Sequence, residues 1–177
     1  FLLNDAKILD KFNSDQLFWI DAGISNTVHI GYFTHDNVLE KISKKVNNFS
    51  FVCFPYEANN EIHGFKFDKI NEYAKQKVEW VCRGGLFGGR KEIINQANIL
   101  YYSMLERSLN EGYMGTEESI FTLMSYIEPE KYRRYALDGN GLIVSIVADA
   151  GFYNSAGVLQ EAGTYDTVSW AALWDGG

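Results

Sequence analysis

Three groups of residues in this chain are of types that do chemistry. The first is a carboxylate at the end of an apolar run, Leu17-Phe18-Trp19-Ile20-Asp21-Ala22-Gly23. Such a run reads as a buried strand that delivers Asp21 to its carboxyl end, where open α/β sheets bind ligands. The second is Arg83-Gly84-Gly85-Leu86-Phe87-Gly88-Gly89, directly after the apolar run at 78–82. Glycines there permit positive φ and close approach of backbone to a ligand. The third is the pair Glu117-Glu118 within Thr116-Glu117-Glu118-Ser119.

Each group has a chemical reading and a plain one. Hard carboxylate oxygens at Asp21 suit a divalent cation, Mn or Mg; an Asp there also caps a following turn. The glycines form a cradle for a sugar or its acceptor, or a tight strand-to-helix crossover. Carboxylates in the first turn of a helix are favoured by its dipole. Alternatively, one of them is a base toward a hydroxyl or stabilises positive charge on a sugar ring. Consecutive helical residues point about 100° apart, so one of the two glutamates is expected to face a shared site. Arg83 and Arg90 suit a phosphate or an ordinary surface. Aromatics such as Trp19 and Phe87 pack on the apolar face of a sugar or fill a core. Taken together, the groups suit breakage of a bond between an anomeric carbon and a phosphate, with a cation carrying the departing charge.

Other chemistries lack their motifs. His29, His35 and His63 have no H-x-x-x-H spacing. There is no nucleophile elbow, G-x-G-x-x-G or Walker loop. The net charge of −7 argues against a nucleic-acid partner. No apolar run reaches the roughly 18 residues of a membrane span. No signal peptide is visible, although the chain opens at Phe1 without Met, and the expected location is the cytoplasm. Cys53 and Cys82 sit in strand-like runs and read as buried free thiols. Asn48-Phe49-Ser50 matches a glycosylation triplet.

The 177 residues are enough for one domain with a sizeable core. Apolar spacing predicts a helix over 4–13 with Ala6, Ile8, Leu9 and Phe12 on one face, then a strand over 17–21. A helix capped by Thr34 carries Val38, Leu39, Ile42 and Val46. A strand over 49–54 stops at Pro55, and Asn59-Asn60 makes a turn. Residues 69–77 are mildly helical and 78–82 form a strand broken at Arg83-Gly84-Gly85. Helices follow over 91–110 and from near Thr116 to before Pro129, the second with Ile120, Phe121, Met124 and Ile127 inward. Beyond Arg134 no Lys or Arg occurs, and 142–148 is strand-like with Trp170 and Trp174 near the end. The division is therefore a core over 1–134 and a closing segment over 135–177. Alternating strands and helices predict an α/β layering with a mixed, mostly parallel sheet.

Phe18-Trp19-Ile20-Asp21-Ala22-Gly23-Ile24, preceded by Lys7, Phe12 and Asn13, resembles the HtrL/YibB-like family of bacterial proteins, which are glycosyltransferase-like with a GT-A fold. Cys82-Arg83-Gly84-Gly85-Leu86-Phe87-Gly88-Gly89 and Gly115-Thr116-Glu117-Glu118-Ser119-Ile120-Phe121 fit the same pattern, so the resemblance covers about 4–130. Phe87-Gly88-Gly89, a long helix and Glu117-Glu118-Ser119 are also similar to transferases of the ABO blood-group type. The resemblance implies a GT-A-like, Rossmann-like sheet and a nucleotide-sugar donor. It implies a glycan or other hydroxyl acceptor in surface polysaccharide synthesis. Asp21 would bind the metal-diphosphate and Glu118 would lie beside the reacting carbon, with Glu117 next to it. Trp19, Gly23, Arg83, Gly84, Gly85, Phe87, Gly88 and Gly89 would contact donor or acceptor. Two departures stand out. The third position of the usual Asp-x-Asp is Gly23. No βαβ unit precedes Asn4, so the expected fold lacks the N-terminal half that grips the nucleotide base. Both favour the rival expectation, a non-catalytic module derived from a transferase that binds a glycan or a protein.

Overall fold

The structure, a computed structural model, describes residues 1–23, 40, 43–44, 46, 48–55, 61–62 and 65–136. Of the expected Thr34 helix only Glu40, Ser43, Lys44 and Val46 are described, the first three of them helical; its Val38, Leu39 and Ile42, the Asn59-Asn60 turn, the three histidines and the strand over 142–148 lie outside the described residues.

The first helix, α1 (Leu2–Leu9), is shorter than its apolar spacing suggests. Asp10 ends it. The Asp10 carboxylate accepts the N–H groups of Phe12 (3.0 Å) and Ser14 (2.8 Å), and the Lys91 ammonium lies 2.7 Å away. Asn13 then turns the chain with φ 54°, a conformation that Asn tolerates. Leu3 is the buried residue of α1, whereas Ile8, Leu9 and Phe12 are exposed. The face expected to join Ala6, Ile8, Leu9 and Phe12 thus loses Phe12, because Asp10 ends the helix, and its members within α1 face solvent.

The Asp10 clamp also carries a pH dependence. The Lys91 ammonium first, then the two N–H groups, hold its carboxyl down to about 2 from an ordinary 3.8. A depressed folded-state value means stability that is present above 3.8 and lost as pH falls toward about 2. Asp10→Asn should flatten the fall in the urea midpoint between pH 5 and pH 2.5; an unchanged slope would place the acid sensitivity elsewhere.

Strand β1 (Gln16–Ile20) pairs antiparallel with β5 (Trp80–Arg90), and β5 pairs antiparallel with β2 (Phe49–Pro55). On its other side β2 pairs parallel with β6 (Tyr132–Ala136), giving the order β1-β5-β2-β6. The sheet is mixed, as expected, but not mostly parallel. Strand–helix alternation implies parallel neighbours only when each helix crosses back over the sheet. Here the hairpin β3 (Glu61–Ile62) and β4 (Phe65–Lys66), followed by α2 (Phe67–Ala74), returns the chain in the opposite direction. Strand β6 continues two residues past the division drawn at 134. β1 is only partly buried, and Ile20 is exposed, because it forms an end of the described sheet.

The glycine-rich stretch is not a loop. It lies inside β5, the eleven-residue strand at the centre of the sheet. Gly88 (φ +142°) faces Phe18 and Ser50; Gly89 (φ +148°) faces Leu17 and Phe49. A Cβ on Gly88 would overlap the Leu17 carbonyl and sit 2.7 Å from Phe18 Cα. One on Gly89 would overlap the Asn48 carbonyl. These glycines let three strand backbones close on one another.

Helices α3 (Lys91–Asn110) and α4 (Glu117–Ile127) complete the layer. On α3, Ile94, Ala97 and Met104 are buried as the periodicity requires, while Leu109 is exposed. On α4 every residue from Ser119 to Tyr126 is buried, and Ile127 is exposed rather than inward. Phe121 stacks on Phe51 (4.9 Å between centroids) and meets Phe87 at 4.7 Å, fastening α4 to the sheet. Thr122 Oγ accepts the Cys82 N–H at 3.0 Å. Cys53 and Cys82 are buried free thiols, 3.0 Å apart across the β2–β5 pair.

Candidate functional site

β1 ends one residue before Asp21. The Asp21 N–H donates to the Gly85 carbonyl at 2.9 Å, which extends the β1–β5 ladder by one bond. Asp21 Oδ1 accepts the Gly23 N–H at 2.6 Å. Asp21 is thus both a strand-tip carboxylate and the cap of the next turn.

Across β5, residues 84–86 have no partner on β2, because the register jumps from Phe51↔Phe87 to Val52↔Arg83. The bulge leaves the Gly84 N–H to a side chain, and Glu118 Oε1 accepts it at 2.9 Å. Glu118 also pairs with Arg83: Nε lies 3.4 Å from Oε1, and Nη1 3.4 Å from Oε2. Such charge-assisted bonds fix the carboxylate's orientation.

Glu117 reaches the same peptide. Its Oε1 lies 2.7 Å from the place where a Gly84 Cβ would begin. Only one glutamate was expected to arrive here. Both do, because Gly84 has no side chain: one carboxylate takes its N–H, the other the space a Cβ would fill.

Asp21 and Glu118 therefore hang on consecutive residues of one strand, Gly85 and Gly84. Gly23, Arg83 and Glu117 join them. Gly88 and Gly89 do not; they lie further along β5, enclosed by β1 and β2. Arg90 pairs with Glu92 at 3.1 Å. Phe87 packs against Phe121 and is covered by Trp19, whose ring is nearly parallel at 6.1 Å.

Trp19, Phe87 and Glu117 also line a cavity of about 240 Å³ between α1, α3, α4 and the sheet. Tyr101, Asn98 and Asn4 belong to its wall. Burial, then the charge of Glu117, pushes the Tyr101 hydroxyl up from its ordinary value. The sequence reading missed both asparagines. The available signal was a polar residue, Asn98, beside the buried Ala97 of an otherwise apolar helix stripe.

Among the described residues, no three His, Cys, Asp or Glu side chains come together to hold a metal ion. A cation at Asp21 would need further oxygens, such as the phosphates of a substrate, and Mg²⁺ commonly binds in this way. No helix among the described residues is long and apolar enough to cross a membrane. Comparisons with family models, curated proteins and solved structures find no match for this chain.

Proposed function

We propose that this chain is a glycosyltransferase of GT-A-like, HtrL/YibB-like type, moving a sugar from a nucleotide-sugar to a hydroxyl acceptor in surface-glycan synthesis. A cytoplasmic place of action belongs to the same proposal. One observation supports it above the others: Asp21, through its backbone N–H, and Glu118, through its carboxylate, are far apart in sequence yet bond to consecutive residues of β5, Gly85 and Gly84. In this proposal Asp21, together with donor phosphates, holds Mn or Mg. Such a cation, when bound, stabilises the negative charge of the departing diphosphate. In this proposal Arg83, which pairs with Glu118, also meets a donor phosphate. Glu118, oriented by the Gly84 N–H and Arg83, either accepts the acceptor's proton or stabilises charge on the sugar ring.

A non-catalytic glycan- or protein-binding module is the second reading. It is favoured by the engagement of Glu118 with Arg83 and Gly84, and by the lack, among the described residues, of three His, Cys, Asp or Glu side chains grouped to hold a cation. Incubation with a panel of nucleotide-sugars, with and without Mn²⁺, separates the two. Cation-dependent donor hydrolysis that Glu118→Gln and Asp21→Asn each depress supports transfer. Glycan binding indifferent to nucleotide and cation, without hydrolysis, supports the module.

A further inference from the structure

The cavity between α1, α3, α4 and the sheet plays no part in the transfer chemistry. Its floor is made by Leu3, Phe49, Ile94, Ala97, Phe121 and Met124, all of them buried. No side chain among these six carries a nitrogen or an oxygen. Asn4 Oδ1 and Asn98 Oδ1 have almost no accessible surface, so neither meets an occupant. Trp19 and Tyr101 are half-buried and Glu117 is exposed, so water reaches these three. The surface that the cavity presents is almost entirely carbon.

Such a space is not ordinary core packing. Protein interiors hold few voids larger than a water molecule, and an apolar cavity lowers stability as its volume grows. Water gains little against carbon, because a buried water needs about two to four polar partners. The volume is about 240 Å³. A cavity of about 150 Å³ accommodates benzene, whereas drug-sized ligands occupy roughly 300 Å³ or more. The space therefore suits one substituted ring or two fused rings, and a nucleotide-sugar does not fit. Charge is excluded by the floor, since an ion placed there would lose its water and gain no partner.

We propose that this cavity is a binding site for a small, uncharged, apolar ring compound, seated on the carbon floor between α1 and the α3–α4 pair. Phe49, Phe87 and Phe121 form a ring cluster on that floor, with Phe87 centred 6.3 Å from Phe49 and 4.7 Å from Phe121, and a further ring extends it. Glu117 joins the rim of the cavity to the bulge at Gly84, so an occupant lies beside the candidate site. The cavity uses neither Asp21 nor Glu118, and it and the transfer reading can fail separately.

Methyl NMR of the full chain, titrated with toluene, benzylamine and sodium benzoate, tests it. Toluene should shift the methyls of Leu3, Ile94 and Met124 and saturate at millimolar concentration or below. The two charged probes, one of each sign, should bind at least tenfold more weakly. Ala97→Leu fills the cavity from its floor and should abolish the toluene shifts in a protein that still melts cooperatively. Ala97→Val, a smaller filling for the case that leucine overpacks the helix, should weaken toluene severalfold. Absence of toluene shifts at these methyls overturns the proposal. So does binding of either charged probe as tight as that of toluene, or toluene affinity unchanged in a folded Ala97 variant.

Discussion

Glu118→Gln should lower turnover of the nucleotide-sugar donor by about 10²–10³-fold, the usual cost of losing a charged or proton-accepting group at a reacting centre. The fold should survive. A glutamine side chain keeps an oxygen that accepts the Gly84 N–H, so the bond that fastens the start of α4 to β5 is retained. What disappears is the negative charge and the capacity to take a proton. The pair with Arg83 is a minor loss, because Arg83 is 39% exposed and water screens much of the attraction. The measurement is donor hydrolysis beside a thermal melt. Lost turnover with an unchanged Tm is the expected pair of results. Lost turnover with a Tm lowered by many degrees would make Glu118 a structural residue, and full turnover would remove it from the reaction.

Gly89→Ala should cost more than about 3 kcal/mol and leave little folded protein, since positive-φ strain and steric overlap add. The added methyl would meet the Asn48 carbonyl, part of the chain entering β2, and the strand cannot yield there without opening the β2–β5 ladder. Gly112 is the internal comparison. It has φ +80° with nothing within 4 Å of a Cβ, so Gly112→Ala should lose only about 1–2 kcal/mol from the left-handed conformation itself. Urea unfolding of the two variants, side by side, checks the difference. Equal midpoints would mean that β5 has slack at Gly89 and that its glycine serves something other than strand packing.

Much of this architecture was readable from local pattern. The α3 stripe of Ile94, Ala97 and Met104 has helical period, and Thr116 marks the start of α4. The apolar run into Asp21 marks the tip of β1. Readability failed where a residue's role depends on a distant neighbour. Gly88-Gly89 looks like a breaker in isolation; the backbones that require glycine there belong to Leu17 and Asn48. The short β6, with Arg133 and Arg134 at its centre, carries no apolar run, and its place is set by pairing with β2. Strand direction was illegible for the same reason, because a two-residue hairpin and α2 reverse the chain between β2 and β5. Within the site, the adjacency of Glu117 and Glu118 suggested one functional side chain. The missing side chain at Gly84, on another element, admits both.

The central claim is that a donor diphosphate and its cation lie at the end of β1, against Gly84 and Gly85. Paramagnetic Mn²⁺ reports this directly in amide NMR spectra recorded with and without a nucleotide-sugar. The account predicts that donor and Mn²⁺ together broaden the Asp21, Gly84 and Gly85 amides beyond detection, and that Asp21→Asn restores them. Sharp signals at these three residues, with broadening confined to another part of the molecule, would contradict it.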